Sequence, residues 1–259
     1  MVHGLIYYLG NVTCRCVRQV GGMTLLSLQS IYLSLTPPYQ VRPVLYQMDQ
    51  IGIKSLFIVS ITALFTGLVL GLQTMFALPR FGAKSYLGAV VSLSVVREMG
   101  PVLTALVVGG RVGSGMAAEL GSMAVTEQVD AMRAMGDNPI KRLVVPRMLA
   151  CVMVLPLLTV VADALGIVGG LVISLMEIER SFYLYFNVVQ ANLVISDVVS
   201  GLAKSVFFGF IIAIVGCYQG LSTRGGTQGV GLSTTLSVVT SFILILVADF
   251  FLTKLFLTL

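Results

Sequence analysis

Residues 51–78 read IGIKSLFIVSITALFTGLVLGLQTMFAL, and this run decides the fold class. It is long and apolar enough to cross a bilayer as one helix, which takes roughly 20 residues. Gly67 and Gly71 stand four apart inside it, a spacing that lets another helix approach closely. The rest of the chain shares its character. Of 259 residues, 57% are hydrophobic and 10% charged, with a mean hydropathy of +0.98. Soluble domains average roughly 45–50% apolar and about 25% charged. A water-soluble globule of this size would carry too little charge to stay in solution. The length allows about five or six spans with short loops and leaves no room for a large soluble domain.

Working outward, the sequence predicts an all-α integral membrane protein. An N-terminal interfacial amphipathic helix and elbow fill 1–45, and a transmembrane domain fills 46–259. In residues 1–36 Arg15, Arg18 and Gln19 are interleaved with apolar side chains, a mixture that suits the membrane interface more than a span. Pro37, Pro38 and Pro43 then break the helix. Five spans are expected over about 51–78, 86–118, 148–176, 198–218 and 232–257. A short turn at 79–84 joins the first two. The second span is interrupted by Arg97 and Glu98, then Pro101, and continues as small residues from Gly109 to Ala118. A polar segment follows, with a short helix over about 126–136: Thr126 can cap it, Gly136 and Pro139 end it, and Val125, Val129, Met132 and Met135 form its apolar face. The third span holds Asp163 and a second glycine pair, Gly166 and Gly170. Phe182, Tyr183, Tyr185 and Phe186 suit an interfacial belt before the fourth span. A glycine-rich loop, Gly220–Gly231, precedes the fifth span, which buries Asp249.

The basic residues set an orientation. With the polar segment before the third span in the cytoplasm, Arg15, Arg18, Arg42, Lys54, Arg111, Arg133, Lys141, Arg142, Arg147 and Arg224 lie on that side. Arg80, Lys84, Arg180, Lys204 and Lys254 lie on the other. The excess places the N-terminus inside and the C-terminus outside. The net charge of +5 fits anionic lipid headgroups better than nucleic acid, and no nucleic-acid partner is expected. The four cysteines and the single histidine, His3, form no metal site or disulfide framework. Arg15 and Arg18 follow the first apolar residues, and no signal-peptide cleavage site stands out.

Charge inside a span costs roughly 2.5–3.5 kcal/mol per residue on insertion scales, so it faces protein or water. Arg97 and Glu98 are adjacent, point to different sides of their helix and do not pair with each other. Either one pairs with a buried Asp163 or Asp249 while the other lines a polar cavity, or both are internal ion pairs that hold the bundle together. The 126–136 helix is either a solvated loop helix or a docking surface, since Met-rich amphipathic helices fit grooves. Gly225–Gly231 lacks the Gly-Lys-Ser/Thr ending of a phosphate loop and reads as a flexible connection. No Gly-x-Ser-x-Gly elbow or membrane-embedded histidine supports enzyme chemistry.

The run LGAVVSLSVVREMGPVLTALVVGGRVGSGMAAELGSMAVTEQVDAMRAMGDNPIKRLVVPRMLA from Leu87, with PLLTVVADALGIVGG after it, resembles the MlaE/YrbE permease family. The later GCYQGLSTRGGTQGVGLSTTLSVVTSFILILVADFFLT matches the same pattern. The resemblance implies a homodimeric membrane subunit of an ABC-type transporter moving phospholipids between a Gram-negative inner membrane and a periplasmic MCE-domain protein, supporting outer-membrane lipid asymmetry. It implies cytoplasmic ATPase subunits that hold the ATP and Mg, and no cofactor in this chain. It makes the 126–136 helix the coupling helix, with Glu127, Gln128, Asp130, Met132, Arg133 and Met135 meeting the ATPase. It makes Gln73, Arg97 and Glu98 polar candidates for the wall of a lipid cavity between protomers, with Leu70 and Leu78 touching acyl chains. The alternative class is a stand-alone secondary transporter or channel that uses its buried charges. A membrane-embedded lipid enzyme would need a nucleophile and base that the sequence does not offer.

Overall fold

The computed structural model describes residues 2–37, 40–78, 86–178 and 182–258. Among the described residues ten α-helices follow one another: α1 (Val2–Ser34), α2 (Val41–Ala77), α3 (Leu87–Ser94), α4 (Gly100–Val108), α5 (Ser114–Val125), α6 (Gln128–Ala134), α7 (Val145–Ile178), α8 (Phe182–Asn192), α9 (Ile195–Leu221) and α10 (Gly226–Thr258). Helices α3, α4 and α5 form one continuous rod, joined by widened π-turns at Val95–Met99 and Gly109–Gly113. Five stretches of the described residues are long and apolar enough to span a membrane: Val41–Ala77, Leu87–Val125, Ile140–Met176, Ile195–Leu221 and Gly226–Phe256. This is an all-α, multi-pass membrane protein.

The helices overrun several expected bounds. Helix α2 starts at Val41, ten residues before the run at 51 and inside the expected elbow. Pro43 sits in its first turn, where no intrahelical partner needs the missing N–H. The expected loop Gly220–Gly231 shrinks to the few residues before Gly226. Gly225 and Gly226 take positive φ (90° and 70°) and turn the chain, while Gly229 and Gly231 are already helical. Residues 182–192 form α8, and Tyr185 is buried instead of facing an interface. Its hydroxyl donates to the Ile167 carbonyl (3.1 Å), and burial pushes the phenol above the usual tyrosine range. The turn expected at 79–84 lies outside the described residues, as does Arg180.

The two glycine pairs meet each other. A Cβ on Gly67 would collide with the carbonyl oxygen of Gly166, and one on Gly71 would lie 3.2 Å from the Gly170 Cα. A Cβ on Gly169 would lie 2.6 Å from the Leu64 carbonyl oxygen. Helices α2 and α7 therefore cross backbone to backbone, the packing that small residues permit where lipid supplies no hydrophobic drive between helices.

One apolar core runs through the bundle, built from Ile51, Val59, Ala105, Leu120, Leu155, Phe208, Ile212 and Ile245. A smaller cluster at one end holds Leu87, Val91, Val95, Leu171, Tyr185 and Val189. Helix α9 is central: half of its apolar window is buried, against 17% for α10, whose outer face is open. Arg111 and Lys204, expected at opposite membrane surfaces, both lie within spanning helices, and Arg111 Nη1 donates to Ser55 Oγ (2.7 Å).

Candidate functional site

The interruption at Arg97 has a local cause. Pro101 has no N–H to return to the carbonyls four and five residues before it, those of Arg97 and Val96. The Gly100 N–H reaches back to Val95, a wide π-turn. Both freed carbonyls face α9. Gly201 lies against the Val96 carbonyl, and a Cβ there would clash with it. One turn on, Lys204 Nζ donates to the Arg97 carbonyl (3.0 Å).

Lys204 is buried, and it organises a charge cluster. Its ammonium donates to Glu98 Oε2 (2.8 Å) and Thr253 Oγ1 (2.7 Å), and Thr253 donates to Glu98 Oε1 (3.2 Å). Asp249 Oδ1 lies 3.3 Å from the same nitrogen, close enough for an ion pair but without hydrogen-bond geometry. Arg97 points the other way, as adjacency on a helix requires. Its Nε and Nη2 donate to Asp197 Oδ1 (2.8 and 2.5 Å). Asp197 also accepts the Val194 N–H through Oδ2 (3.1 Å), fixing the start of α9.

These groups line a cleft of about 570 Å³, with Leu93, Val199 and Phe256 as apolar wall, a size within the usual range for ligand sites. The Arg97 side chain is 45% exposed and Glu98 35%, so each keeps a face free while its partner, Asp197 or Lys204, is buried.

The expected partners need correction. Asp163 pairs with neither Arg97 nor Glu98: its Oδ1 is buried against Gly100 and has no hydrogen-bond partner among the described residues. Asp249 joins the cluster beside Lys204. Sequence reasoning misses Lys204 and Asp197. For Lys204 a charge in the expected fourth span is itself the signal, by the rule that singles out Arg97, whereas Asp197 lies just before that span. Of the other proposed wall residues, Leu70 and Leu78 pack against the smaller apolar cluster and Gln73 is exposed on α2. None of the three lines the Arg97 cleft within one chain.

The polar helix forms a compact knob. Thr126 does not cap it: its hydroxyl bonds back to the Ser122 carbonyl (2.8 Å) and closes α5. The reversal falls on Glu127, whose φ of 59° is left-handed. Gly136 (φ 81°) ends α6, with its N–H on the Arg133 carbonyl (3.0 Å) and the Asp137 N–H on that of Met132 (3.0 Å), a Schellman closure. Val129 is buried, Met132 half-buried and Met135 fully outward at 77% exposure, so the expected apolar face is divided between core and surface. Gln128 Nε2 donates to Thr126 Oγ1 (3.0 Å). Asp130 and Arg133 pair at 2.9 Å on the exposed side. Behind the knob, Arg147 on α7 holds Glu119 on α5 (2.9 Å), bracketing α6 between two spans.

Glu127→Gly is expected to leave stability unchanged or raise it by up to about 1 kcal/mol, while Glu127→Val loses about 1–2 kcal/mol, because a branched side chain resists left-handed backbone. Thermal midpoints in detergent would check this, and equal midpoints for the two variants would refute it.

The chain matches the family described as Permease MlaE over residues 44–255. It is 39% identical over 256 residues to a probable ABC transporter permease protein of Rickettsia prowazekii, covering 99% of both chains. A probable ABC transporter permease protein of Synechocystis is 47% identical over 211 residues, 82% of this chain and 80% of the relative. The intermembrane phospholipid transport system permease protein MlaE of Haemophilus influenzae is 36% identical over 208 residues, 80% of each.

Proposed function

Because the chain belongs to the MlaE permease family, we propose that it is the membrane subunit of an ABC transporter that moves phospholipid between the inner membrane and a periplasmic MCE-domain protein, as a homodimer driven by cytoplasmic ATPases. It thereby contributes to outer-membrane lipid asymmetry. The observation that carries this reading is the Arg97 cleft. It combines an apolar wall with a guanidinium anchored on one side by buried Asp197 and open on the other. A phospholipid presents the matching pair, an anionic phosphodiester and acyl chains. Gln73, exposed on α2, with the half-buried Leu70 and Leu78, would enter the cavity once two protomers meet. Helix α1 lies at the interface, with the N-terminus cytoplasmic and the C-terminus periplasmic.

ATP and Mg belong to the partner ATPase. On this side of the contact, Glu127, Gln128, Asp130, Met132, Arg133 and Met135 form the coupling surface. Nucleotide-driven closure of the ATPases presses on α6. Arg147 and Glu119 pass that push to α5 and α7, and the cleft narrows.

Glu127→Lys with Asp130→Lys is expected to abolish ATPase co-purification while the permease stays folded. Retained association and lipid-stimulated hydrolysis would refute the docking assignment. Arg97→Ala is expected to lower co-purified phospholipid without unfolding the protein, and normal occupancy and transport would remove the cleft from the pathway. A stand-alone transporter would instead keep moving lipid after ATP depletion.

A further inference from the structure

A second lipid-sized feature lies at the other end of α7, away from the Arg97 cleft. Between the end of α1 and the starts of α2 and α7 is a hollow of about 350 Å³ walled by Val44, Leu149 and Met153. A hollow of about 400 Å³ continues along the same two helices past Leu56 and Leu157, and Met48 borders both. From Val41 to Leu56 the groove spans roughly 22 Å at 1.5 Å per residue. One leaflet of hydrocarbon is about 15 Å deep, half of the roughly 30 Å core. One acyl chain therefore fits its length.

The cation sits at one end, while Asp49, exposed on α2, borders the second hollow among apolar side chains. Lys141 borders the first hollow, and its ammonium donates one proton to the Pro37 carbonyl (2.9 Å), tying the end of α1 to the wide turn Ile140–Val144 that leads into α7. An ammonium has three protons, and no carboxylate pairs with Lys141 among the described residues. Asp137, a nearby acid in sequence, is held by Arg142. In the same hollow Gln40 Oε1 is buried and has no hydrogen-bond partner among the described residues. The end of the groove thus presents a cation with open donors and an unmet acceptor. A phosphodiester answers the first, and a headgroup hydroxyl or ammonium answers the second.

We infer that this groove is a binding site for one phospholipid of the adjoining leaflet, with its phosphate on Lys141 and an acyl chain along α2 and α7. The lipid is separate from any lipid in the Arg97 cleft. It seals the seam between the elbow and the bundle.

The test uses the full chain with its co-purifying partners in nanodiscs of phosphatidylethanolamine and phosphatidylglycerol. A trace of phosphatidylglycerol carries a mid-chain diazirine, and adducts are mapped by mass spectrometry after photolysis without ATP. Adducts in peptides covering 41–56 and 145–157 are expected several-fold above those on the open α10 face at Phe250 and Phe251. Lys141→Glu is expected to lower them by about fivefold, the effect of losing one partly exposed ion pair, while Lys141→Arg retains them. Leu149→Trp, which fills the groove, is expected to lower them as well. Labelling equal to that of α10, or undiminished in Lys141→Glu, would overturn the site. Lys141→Glu decides the matter if the tryptophan variant does not fold. Transport is not the readout, so failure here leaves the proposed function standing, and loss of transport elsewhere leaves this site standing.

Discussion

Lys204→Met should unfold at a markedly lower temperature than the parent chain in the same detergent, with a loss of about 3 kcal/mol. Removing one member of a buried ion pair costs about 3–5 kcal/mol, because the remaining charges stay buried and unpaired. The lower end applies here, since the Glu98 side chain is 35% and that of Asp249 20% exposed. Part of that loss falls on the backbone. The Arg97 carbonyl, already deprived of a backbone donor by Pro101, also loses the ammonium that caps it. The charge account makes a sharper demand. Glu98→Gln and Asp249→Asn, added to Lys204→Met, remove the stranded carboxylates and should restore about half of the loss. The carbonyl penalty of roughly 1–3 kcal/mol should remain. If the triple variant is no more stable than Lys204→Met, then packing of the lysine stem, not charge pairing, holds α9 against the second span.

Gly67→Leu is the second large effect, and it should yield no monodisperse protein. The position faces the Gly166 backbone, so no rotamer can avoid the clash. Either α2 and α7 separate or the turn deforms, at a loss of about 3 kcal/mol or more, the upper end for overpacking. The same pair of helices offers a graded control. Gly71→Ala would place its Cβ 3.2 Å from the Gly170 Cα, a contact that a small shift relieves, so a loss near 1 kcal/mol is expected. Gly21→Ala meets nothing within 4 Å and should be silent. Size-exclusion profiles and thermal midpoints of the three variants test the order Gly67, Gly71, Gly21. Equal tolerance at Gly67 and Gly71 would mean that the crossing is not close.

Much of this was legible beforehand because each cue is local. A long apolar run must be a span, since hydrocarbon leaves the backbone no other partner than its own helix. Gly67, Gly71, Gly166 and Gly170 announced close crossings by spacing alone. Arg97 and Glu98 announced polar surroundings because a charge in a span must face something other than lipid. Less legible were the helix limits, because Pro43 and Gly229 are breakers in most settings yet are tolerated in a first turn. The Glu127 reversal was hidden for a related reason: left-handed backbone at a non-glycine residue is imposed by the two helices it joins.

What the sequence determined by itself is the class, five spans with a polar segment between the second and third, and the family to which the chain belongs. It also marked the positions where helices touch through backbone and where charge interrupts the membrane. Tertiary structure alone decided the partners. Asp197 and Lys204, not Asp163, receive Arg97 and Glu98, and Asp249 enters beside Lys204. Helical periodicity assigns residues to the faces of one helix. Which face of another helix it meets, and at what height, is set by how glycines such as Gly201 let the rods sink together, and that is a property of the packed bundle.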